Sequence, residues 1–244
     1  MAPLGLTVFL LLWSALIRLG QYPAFILPGP GRVYSRFAST LADGTLWRHT
    51  QITMVEILGG LAIGLFTAIC IGYLLAKSPL LERLLAPYIV AAESVPVVAL
   101  APLLVVWFGF GSLSKVLICA LIVFFPVLVN TIVGIRSVEQ DLRDLMRSLQ
   151  ASRWKTFTLL ELPASLPVLF GGLKLAVTLA VIGAVVGEFV GADRGLGALI
   201  NISRGVLDTP LMFVALFTLV LIAVTMYACV TVIENRVLAW RRRS

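Results

Sequence analysis

Long apolar runs divide the chain into six candidate membrane spans. They lie at about 4–27, 52–76, 88–108, 113–135, 168–190 and 210–233. Each run is close to the roughly 20 residues that a helix needs to cross the hydrocarbon core of a bilayer. The short alternating segments of a β-barrel are missing, and backbone groups in lipid must be satisfied within the segment. The pattern predicts an all-α membrane protein with six transmembrane helices in a single domain, residues 1–244.

The composition excludes several classes of protein. Hydrophobic residues make up 60% and charged residues 13% of the 244 residues, whereas a soluble domain has about 25% charged residues. No basic run interleaves with exposed aromatics, so nothing indicates nucleic-acid binding. Cys70, Cys119 and Cys229 all lie in apolar runs without metal-ligand spacing. We therefore interpret them as buried small hydrophobic residues and predict neither a metal site nor a disulfide framework.

The basic residues predict an orientation. Eleven would lie on one side of the membrane and six on the other, and the side with more Lys and Arg is normally cytoplasmic. Both termini would then be cytoplasmic, with the tail Arg241–Arg243 as a topology anchor. The first run lacks a basic n-region and contains Arg18 near its far end, so we interpret it as a helix and not as a cleaved signal peptide.

Proline and glycine mark special positions within the spans. Pro96 and Pro102 predict a kink or local unwinding in the third span, a feature that in membranes often faces a cavity or a moving element. Small residues one turn apart let helices approach closely. Packing within the chain is the favoured interpretation of these pairs, and a dimer seam is the alternative. The pairs are Gly60 with Gly64, Gly183 with Gly187, and Gly187 with Gly191.

A polar stretch, residues 136–167, interrupts the apolar pattern. Ser137 to Gln140 matches a capping box and predicts the start of an amphipathic helix. After a break at Gln150 and Ala151, Ser152 would cap a second short helix that carries Trp154 and Phe157 and ends at Pro163. Two interpretations remain open from the pattern alone: a knob that fits a groove on a soluble partner, or a lid on the membrane interface.

The segment from Asp144 to Pro167 resembles the EAA loop of ABC importer permeases. The family pattern is Glu-Ala-Ala, three residues, Gly, nine residues, Ile-x-Leu-Pro, and this chain keeps the spacing. The letters differ: Asp144 stands for Glu, Leu145 and Met146 for Ala, and Gln150 for the glycine. Because glycine adopts a positive φ more easily than glutamine, the last change predicts either a gentler bend or a partner groove shaped to match.

The resemblance covers roughly residues 25 to 235 and is to the nitrate, sulfonate, taurine and vitamin-precursor permeases. It is carried also by Ile26–Pro30, Ala101–Leu103, Trp107–Gly111, Phe125–Pro126, Asn130, Gly172–Lys174, Gly187–Phe189 and Gly195–Gly197. It implies a type I ABC importer permease fold in a bacterial cytoplasmic membrane. It also implies three partners: an ATPase subunit, a periplasmic or lipid-anchored substrate-binding protein, and a second, identical or homologous permease chain.

The same resemblance assigns the loop to coupling with the ATPase. The residues implied are Asp144, Leu145, Met146, Arg147, Leu149, Gln150, Ala151, Ser152, Trp154, Phe157, Leu162 and Pro163. The chain lacks a G-x-x-x-x-G-K-[ST] phosphate loop. We therefore expect it to bind no cofactor itself, with ATP bound on the partner. Its single His and its scattered carboxylates form no catalytic constellation, so an enzyme is not expected.

Five residues within the spans are candidates for the translocation path, since polar groups in lipid are costly. They are Glu93, Pro96, Pro102, Asn130 and Glu188. Glu93 could instead reach the cytoplasmic interface or pair with Lys174, Glu188 could serve as a gate or in packing, and Asn130 could bond across helices. His49 and Glu56 are expected to be interfacial and solvated.

The sequence predicts the solute class only coarsely. No Arg or Lys cluster lies at mid-membrane, and an aliphatic lining is expected around Val95 to Leu104, which mildly favours an organic solute over nitrate. Sulfonate- or taurine-type solutes and vitamin or heterocycle precursors (riboflavin, the thiamine pyrimidine) remain open. The alternative function is a proton- or sodium-coupled secondary transporter that uses Glu93 and Glu188.

Overall fold

The computed structural model describes the backbone of residues 2–239 and the side chains of residues 4, 5 and 7–239. Within this part of the chain there are helices and no strand, so the predicted all-α fold is confirmed. The Arg241–Arg243 anchor lies outside the described residues. The helices are α1 Ala2–Gly20, α2 Pro30–Ala42, α3 Thr45–Lys77, α4 Pro79–Glu93, α5 Val97–Phe108, α6 Ser112–Arg136, α7 Gln140–Ser148, α8 Arg153–Thr156, α9 Leu162–Phe189, α10 Leu196–Gly205 and α11 Thr209–Val237.

Four of the described helices are long and apolar enough to cross a membrane. They are α3, α6, the continuous helical segment Arg153–Phe189, and α11, and a fifth span results if α4 and α5 are taken as one bent span. The predicted count of six is not confirmed. The first predicted span, 4–27, ends as a helix at Gly20. Pro23 disfavours helical backbone at Tyr22, and Gln21 takes a positive φ of 50°, so the helix cannot continue.

The third predicted span, 88–108, is broken into two helices. It is divided between α4 and α5, which meet at an angle of 88°. Pro96 is the N-cap of α5; it has no N–H to donate and restricts the backbone of Val95, which ends α4 before it. The predicted kink is therefore confirmed at Pro96, whereas α5 continues through Pro102.

The first of two compact units contains residues 1–55 and 188–222. In it the Trp13 indole stacks on Phe213 at 5.6 Å between ring centroids. Helix α2, which no sequence pattern predicted, begins with Pro30 in its first turn, a favourable position because that N–H would be unpaired anyway. A salt bridge of 2.6 Å joins Arg36 of α2 to Asp208. The Pro-Gly-rich stretch at residues 28–31 therefore begins a helix.

The second unit contains residues 56–187 and 223–244, and its helix α6 has buried residues along most of its length. A Cβ atom on Gly60 of α3 would lie 2.1 Å from the Cβ of Cys119, and one on Gly183 of α9 would lie 2.9 Å from the Cα of Cys119. Gly64 similarly approaches the carbonyl oxygen of Ala120. These contacts confirm that Gly60, Gly64 and Gly183 serve packing within the chain, because the close approach is to α6 itself.

The three cysteines differ in burial. Cys119 is buried as predicted, whereas Cys70 and Cys229 are exposed, so the prediction of burial is wrong for these two.

Candidate coupling loop and polar groups of the spans

Helix α7 begins later than the capping box predicts. Glu139 is its N-cap and makes no side-chain cap hydrogen bond. The Ser137 hydroxyl instead donates to the Gly134 carbonyl at 2.8 Å, so this residue ends α6. The predicted capping role of Ser137 is therefore wrong. A hydroxyl side chain can also donate to a carbonyl of the preceding helical turn, and Ser137 makes that bond in place of the N-cap bond.

Gln150 holds the bend at the end of α7 in the left-handed conformation. Its φ is 52°, its N–H donates to the Arg147 carbonyl at 2.9 Å, and the Ala151 N–H donates to the Met146 carbonyl at 3.0 Å. These two bonds form a Schellman motif, with Gln150 at the position that usually holds glycine. The expectation of a gentler bend is wrong, since the backbone of Gln150 takes the left-handed conformation that glycine adopts most easily.

The positive φ at Gln150 gives a first prediction. Replacing Gln150 with Gly should raise the free energy of unfolding by about 1 kcal/mol, because a side chain in the left-handed region costs about that much. The melting temperature of the purified chain in one detergent would measure the effect. Gln150→Ala is the matched control: it also removes the side chain but keeps a Cβ, so it should not stabilise. Equal melting temperatures for the glycine variant and the wild type would contradict the prediction.

The second helix of the loop does not end at Pro163 as predicted. Ser152 does cap α8, accepting from the Lys155 N–H at 3.3 Å, which confirms its predicted role. A π-helical turn, Phe157–Glu161, then joins α8 to α9. The Leu162 N–H donates to the Phe157 carbonyl, and this wider turn leaves room for the proline ring. The fifth predicted span, 168–190, is therefore the end of a helix that begins in the loop.

A buried carboxylate holds the loop to α3. Glu161 is 1% exposed; the Lys77 ammonium donates to it, and Arg143 of α7 lies 3.9 Å away. Arg143 also donates to the Ile135 carbonyl at 2.6 Å, and Tyr73 lines the same cavity as Glu161. We call Tyr73, Lys77, Arg143 and Glu161 the anchoring cluster. Sequence reasoning missed it; the only available signal was an acid directly before Leu162-Pro163.

Apolar side chains of the loop are left uncovered. Leu145 is 53%, Leu149 67% and Trp154 71% exposed, while Met146, Ala151, Phe157, Leu162 and Pro163 are half-buried. Asp144 pairs with Arg147 at 3.0 Å in an exposed i,i+3 pair. The loop thus presents an apolar surface, bordered by charges, on a base fixed by the anchoring cluster. Such a surface suits a groove on a partner.

Two of the predicted path residues, Glu93 and Asn130, do not make the contacts to other helices that were considered for them. Glu93 is exposed at the C-terminal end of α4. The predicted pair of Glu93 with Lys174 is wrong, because Lys174 pairs with Glu234. The Asn130 amide donates to the Pro126 carbonyl of its own helix at 2.7 Å and does not bond across helices. Asn130 also lines an apolar cavity of about 150 Å³ with residues of α3 and α9.

Glu188 is fully buried and caps the start of α10. It accepts from the Gly197 N–H and from the Thr53 hydroxyl at 2.6 Å. Thr53 in turn accepts from the Leu196 N–H at 2.8 Å. A carboxylate at a helix N-terminus is stabilised by the unpaired N–H groups there. These contacts describe a packing role for Glu188.

Two residues expected to be solvated have partners within the chain. The His49 Nδ1 atom lies 2.7 Å from the Gly195 carbonyl oxygen, and the ring is half-buried. Glu56 is fully buried, with Lys115 at 3.7 Å, and Lys115 also donates to the Phe110 carbonyl at 3.2 Å. The expectation of solvation is wrong for Glu56, whereas the half-buried His49 ring keeps part of its surface exposed. The contacts of His49 with Gly195 and of Glu56 with Lys115 join residues far apart in the chain, which a local pattern cannot reveal.

Comparison with known proteins identifies the family of this chain. The family model for the binding-protein-dependent transport system inner membrane component matches residues 60–239, most of the chain and all of its loop. The chain belongs to this family. It is therefore the permease subunit of an ABC importer, a transport component and not an enzyme, and a multi-pass protein of the inner membrane.

Relatives of the permease are similar over nearly its whole length. The riboflavin transport system permease protein RibX of Chloroflexus aurantiacus is 48% identical over 98% of this chain and 89% of its own length. The formylaminopyrimidine transport permease protein ThiX of Halalkalibacterium halodurans is 34% identical over 97% and 94%. The aliphatic sulfonates permease SsuC of Bacillus subtilis, named as putative, is 32% identical over 96% and 85%.

Family membership also defines the general partners of the permease. Importers of this family depend on a substrate-binding protein and an ATPase. The alternative of a proton- or sodium-coupled secondary transporter is not favoured. Of its two proposed coupling acids, Glu188 is occupied in capping α10.

Proposed function

We propose that the permease imports riboflavin or a closely similar neutral heterocycle. The observation that carries this proposal is the gradient of identity among relatives of different named solutes. Identity is 48% with the riboflavin permease, 34% with the formylaminopyrimidine permease, 32% with a sulfonate permease and 28% with the taurine permease of Escherichia coli. Since all four alignments cover at least 96% of this chain, the difference is not an effect of alignment length.

The charges within the spans support a neutral solute. Lys115 in α6 is paired with Glu56 and Lys174 in α9 with Glu234. A sulfonate crossing the membrane needs a compensating cation along its path, and these two lysines already have carboxylate partners. A neutral ring system needs none, and the apolar cavity beside Asn130 offers the kind of lining that such rings prefer.

The loop between α6 and α9 is the proposed contact with the ATPase. We expect its exposed apolar residues, Leu145, Leu149 and Trp154, to enter a cleft of the ATPase subunit, with Asp144 and Arg147 at the edge. In this proposal both termini are cytoplasmic and ATP binds on the partner alone. A second permease chain completes the importer, because one loop serves one ATPase subunit of a two-fold assembly.

Transport by the assembled importer tests the proposed solute. With its ATPase and binding protein in proteoliposomes, the permease should accumulate labelled riboflavin when ATP is supplied. Excess unlabelled riboflavin should abolish the uptake, and excess taurine should leave it unchanged. A proton ionophore is the control for the secondary-transport alternative, and we expect no effect of it. ATP-dependent uptake of taurine without uptake of riboflavin would overturn the proposal.

A further inference from the structure

A cationic cavity of about 660 Å³ lies between the last turns of α3 and the loop that carries α7 and α8. Its lining includes four cationic side chains: Lys77, Arg143, Arg147 and Arg153. Glu161 is the one acid in the lining, and Asp144 neutralises Arg147 from outside it. Four cations against these two carboxylates leave a net charge of +2. The cavity therefore favours an anion.

The cations differ in how much of their charge is already compensated. Lys77 and Arg143 both face Glu161, and Arg147 pairs with Asp144. Arg153 has neither an ion pair nor a side-chain hydrogen bond among the described residues. The buried Nε atom of Arg143 also has no hydrogen-bond partner. Two guanidinium groups in the lining thus retain donors for a ligand with several acceptor oxygens.

The position of the cavity indicates where such an anion comes from. Tyr73 and Lys77 belong to the last turns of α3, one of the apolar helices long enough to cross the membrane. The end of such a helix lies at the level of the lipid headgroups. Trp154 packs on Phe157 at 5.8 Å, and Phe157 packs edge-on against Tyr73 at 5.2 Å. Trp and Tyr are enriched at this interface, and Tyr73 is the aromatic residue of the cavity lining.

We propose that this cavity binds the phosphate headgroup of an anionic phospholipid, with Arg153 and Arg143 as its donors. Basic pockets beside membrane helices bind such headgroups. The bound lipid would tie α3 to α8 next to the anchoring cluster and so hold the loop in place. An acidic side chain of the ATPase is the competing occupant. It is less favoured because Arg143, 21% exposed, points inward to Glu161, away from the exposed leucines that would meet a partner.

Lipid binding by the full-length permease tests the proposal. The purified chain in a neutral detergent would be titrated with phosphatidylglycerol or with phosphatidylcholine, and bound lipid counted by native mass spectrometry. We expect phosphatidylglycerol to bind preferentially and Arg153→Gln to weaken its binding about fivefold, the effect of one cation near a headgroup. The matched control is Arg83→Gln, which removes an exposed cation of α4 outside the cavity. It should leave the affinity unchanged.

Three results would overturn the proposal. Equal weakening by Arg83→Gln would mean that lipid binds by diffuse charge alone. Equal occupancy of the site by inorganic phosphate, added as a soluble competitor, would mean that no lipid is required. Unchanged lipid binding by Arg153→Gln, with weaker capture of the ATPase subunit, would assign the cavity to an acidic side chain of that partner. The melting temperature of Arg153→Gln in neutral detergent should equal that of the wild type, which separates loss of binding from misfolding.

Discussion

Replacing Glu161 with Gln is expected to uncouple the permease from its ATPase and to destabilise the loop. The Glu161 side chain is 1% exposed, and the change removes the negative charge that Lys77 and Arg143 share. Removing one partner of a buried ion pair is strongly destabilising, and because both cations are partly exposed we expect about 2 kcal/mol in the free energy of unfolding. ATP-driven uptake should fall by about tenfold, within the usual range of coupling between sites.

Two measurements on the same preparation check this prediction. The melting temperature reports the loss of stability, and stimulation of ATP hydrolysis by the loaded binding protein reports coupling. Glu139→Gln is the matched control, since it removes an exposed carboxylate from the same loop. It should change neither quantity by more than a small fraction. If Glu161→Gln kept the wild-type melting temperature and full stimulation, the anchoring cluster would not carry the coupling.

Replacing Gly60 with Ala is expected to disrupt the packing of α3 on α6. The added Cβ would lie 2.1 Å from the Cβ of Cys119 and 3.0 Å from the Val116 carbonyl oxygen. The backbone contact cannot be relieved by a rotamer change, so the helices must separate. We expect a loss of about 2 kcal/mol or more, the cost of overpacking a well-packed core. This exceeds the gain of up to about 1 kcal/mol from the higher helix propensity of alanine.

The control for this prediction is another helical glycine. Gly171 in α9 has no atom within 4 Å of an added Cβ, so Gly171→Ala should leave the melting temperature unchanged or raise it. A second change tests the specific contact: Cys119→Gly removes the Cβ that the new methyl group meets, and should restore part of the lost stability. Unaltered stability of Gly60→Ala would show that the two helices are not in close contact.

The loop illustrates how far local patterns reach. The Ser152 cap is confirmed because its bond is made within a single turn. The capping box at Ser137 is wrong because the same hydroxyl had a second local acceptor, the Gly134 carbonyl. The end at Pro163 is wrong because a π turn accommodates the proline. Local sequence therefore predicts which hydrogen bonds a side chain can form better than which of these bonds it forms.

The polar groups in the spans show what local patterns do not predict. The position of a residue along its own span does not identify its partner. The partners of His49, Glu56 and Glu188 are Gly195, Lys115 and Thr53. Each partner is separated by dozens of residues or more in the chain. Whether a carboxylate is solvated, paired or caps a helix depends on which helix lies beside it. No periodicity within one span contains that information.

The sequence by itself determined the class of this protein: its apolar runs require helices in lipid, and its loop spacing and motifs place it in one permease family. It also determined where the backbone must turn, since proline and glycine act on their own neighbours. Only the tertiary structure decided that Glu161 anchors the loop, that Gln150 keeps a left-handed bend, and that Glu188 caps α10. These outcomes depend on contacts between distant segments, whose free energy arises only when the helices are packed together.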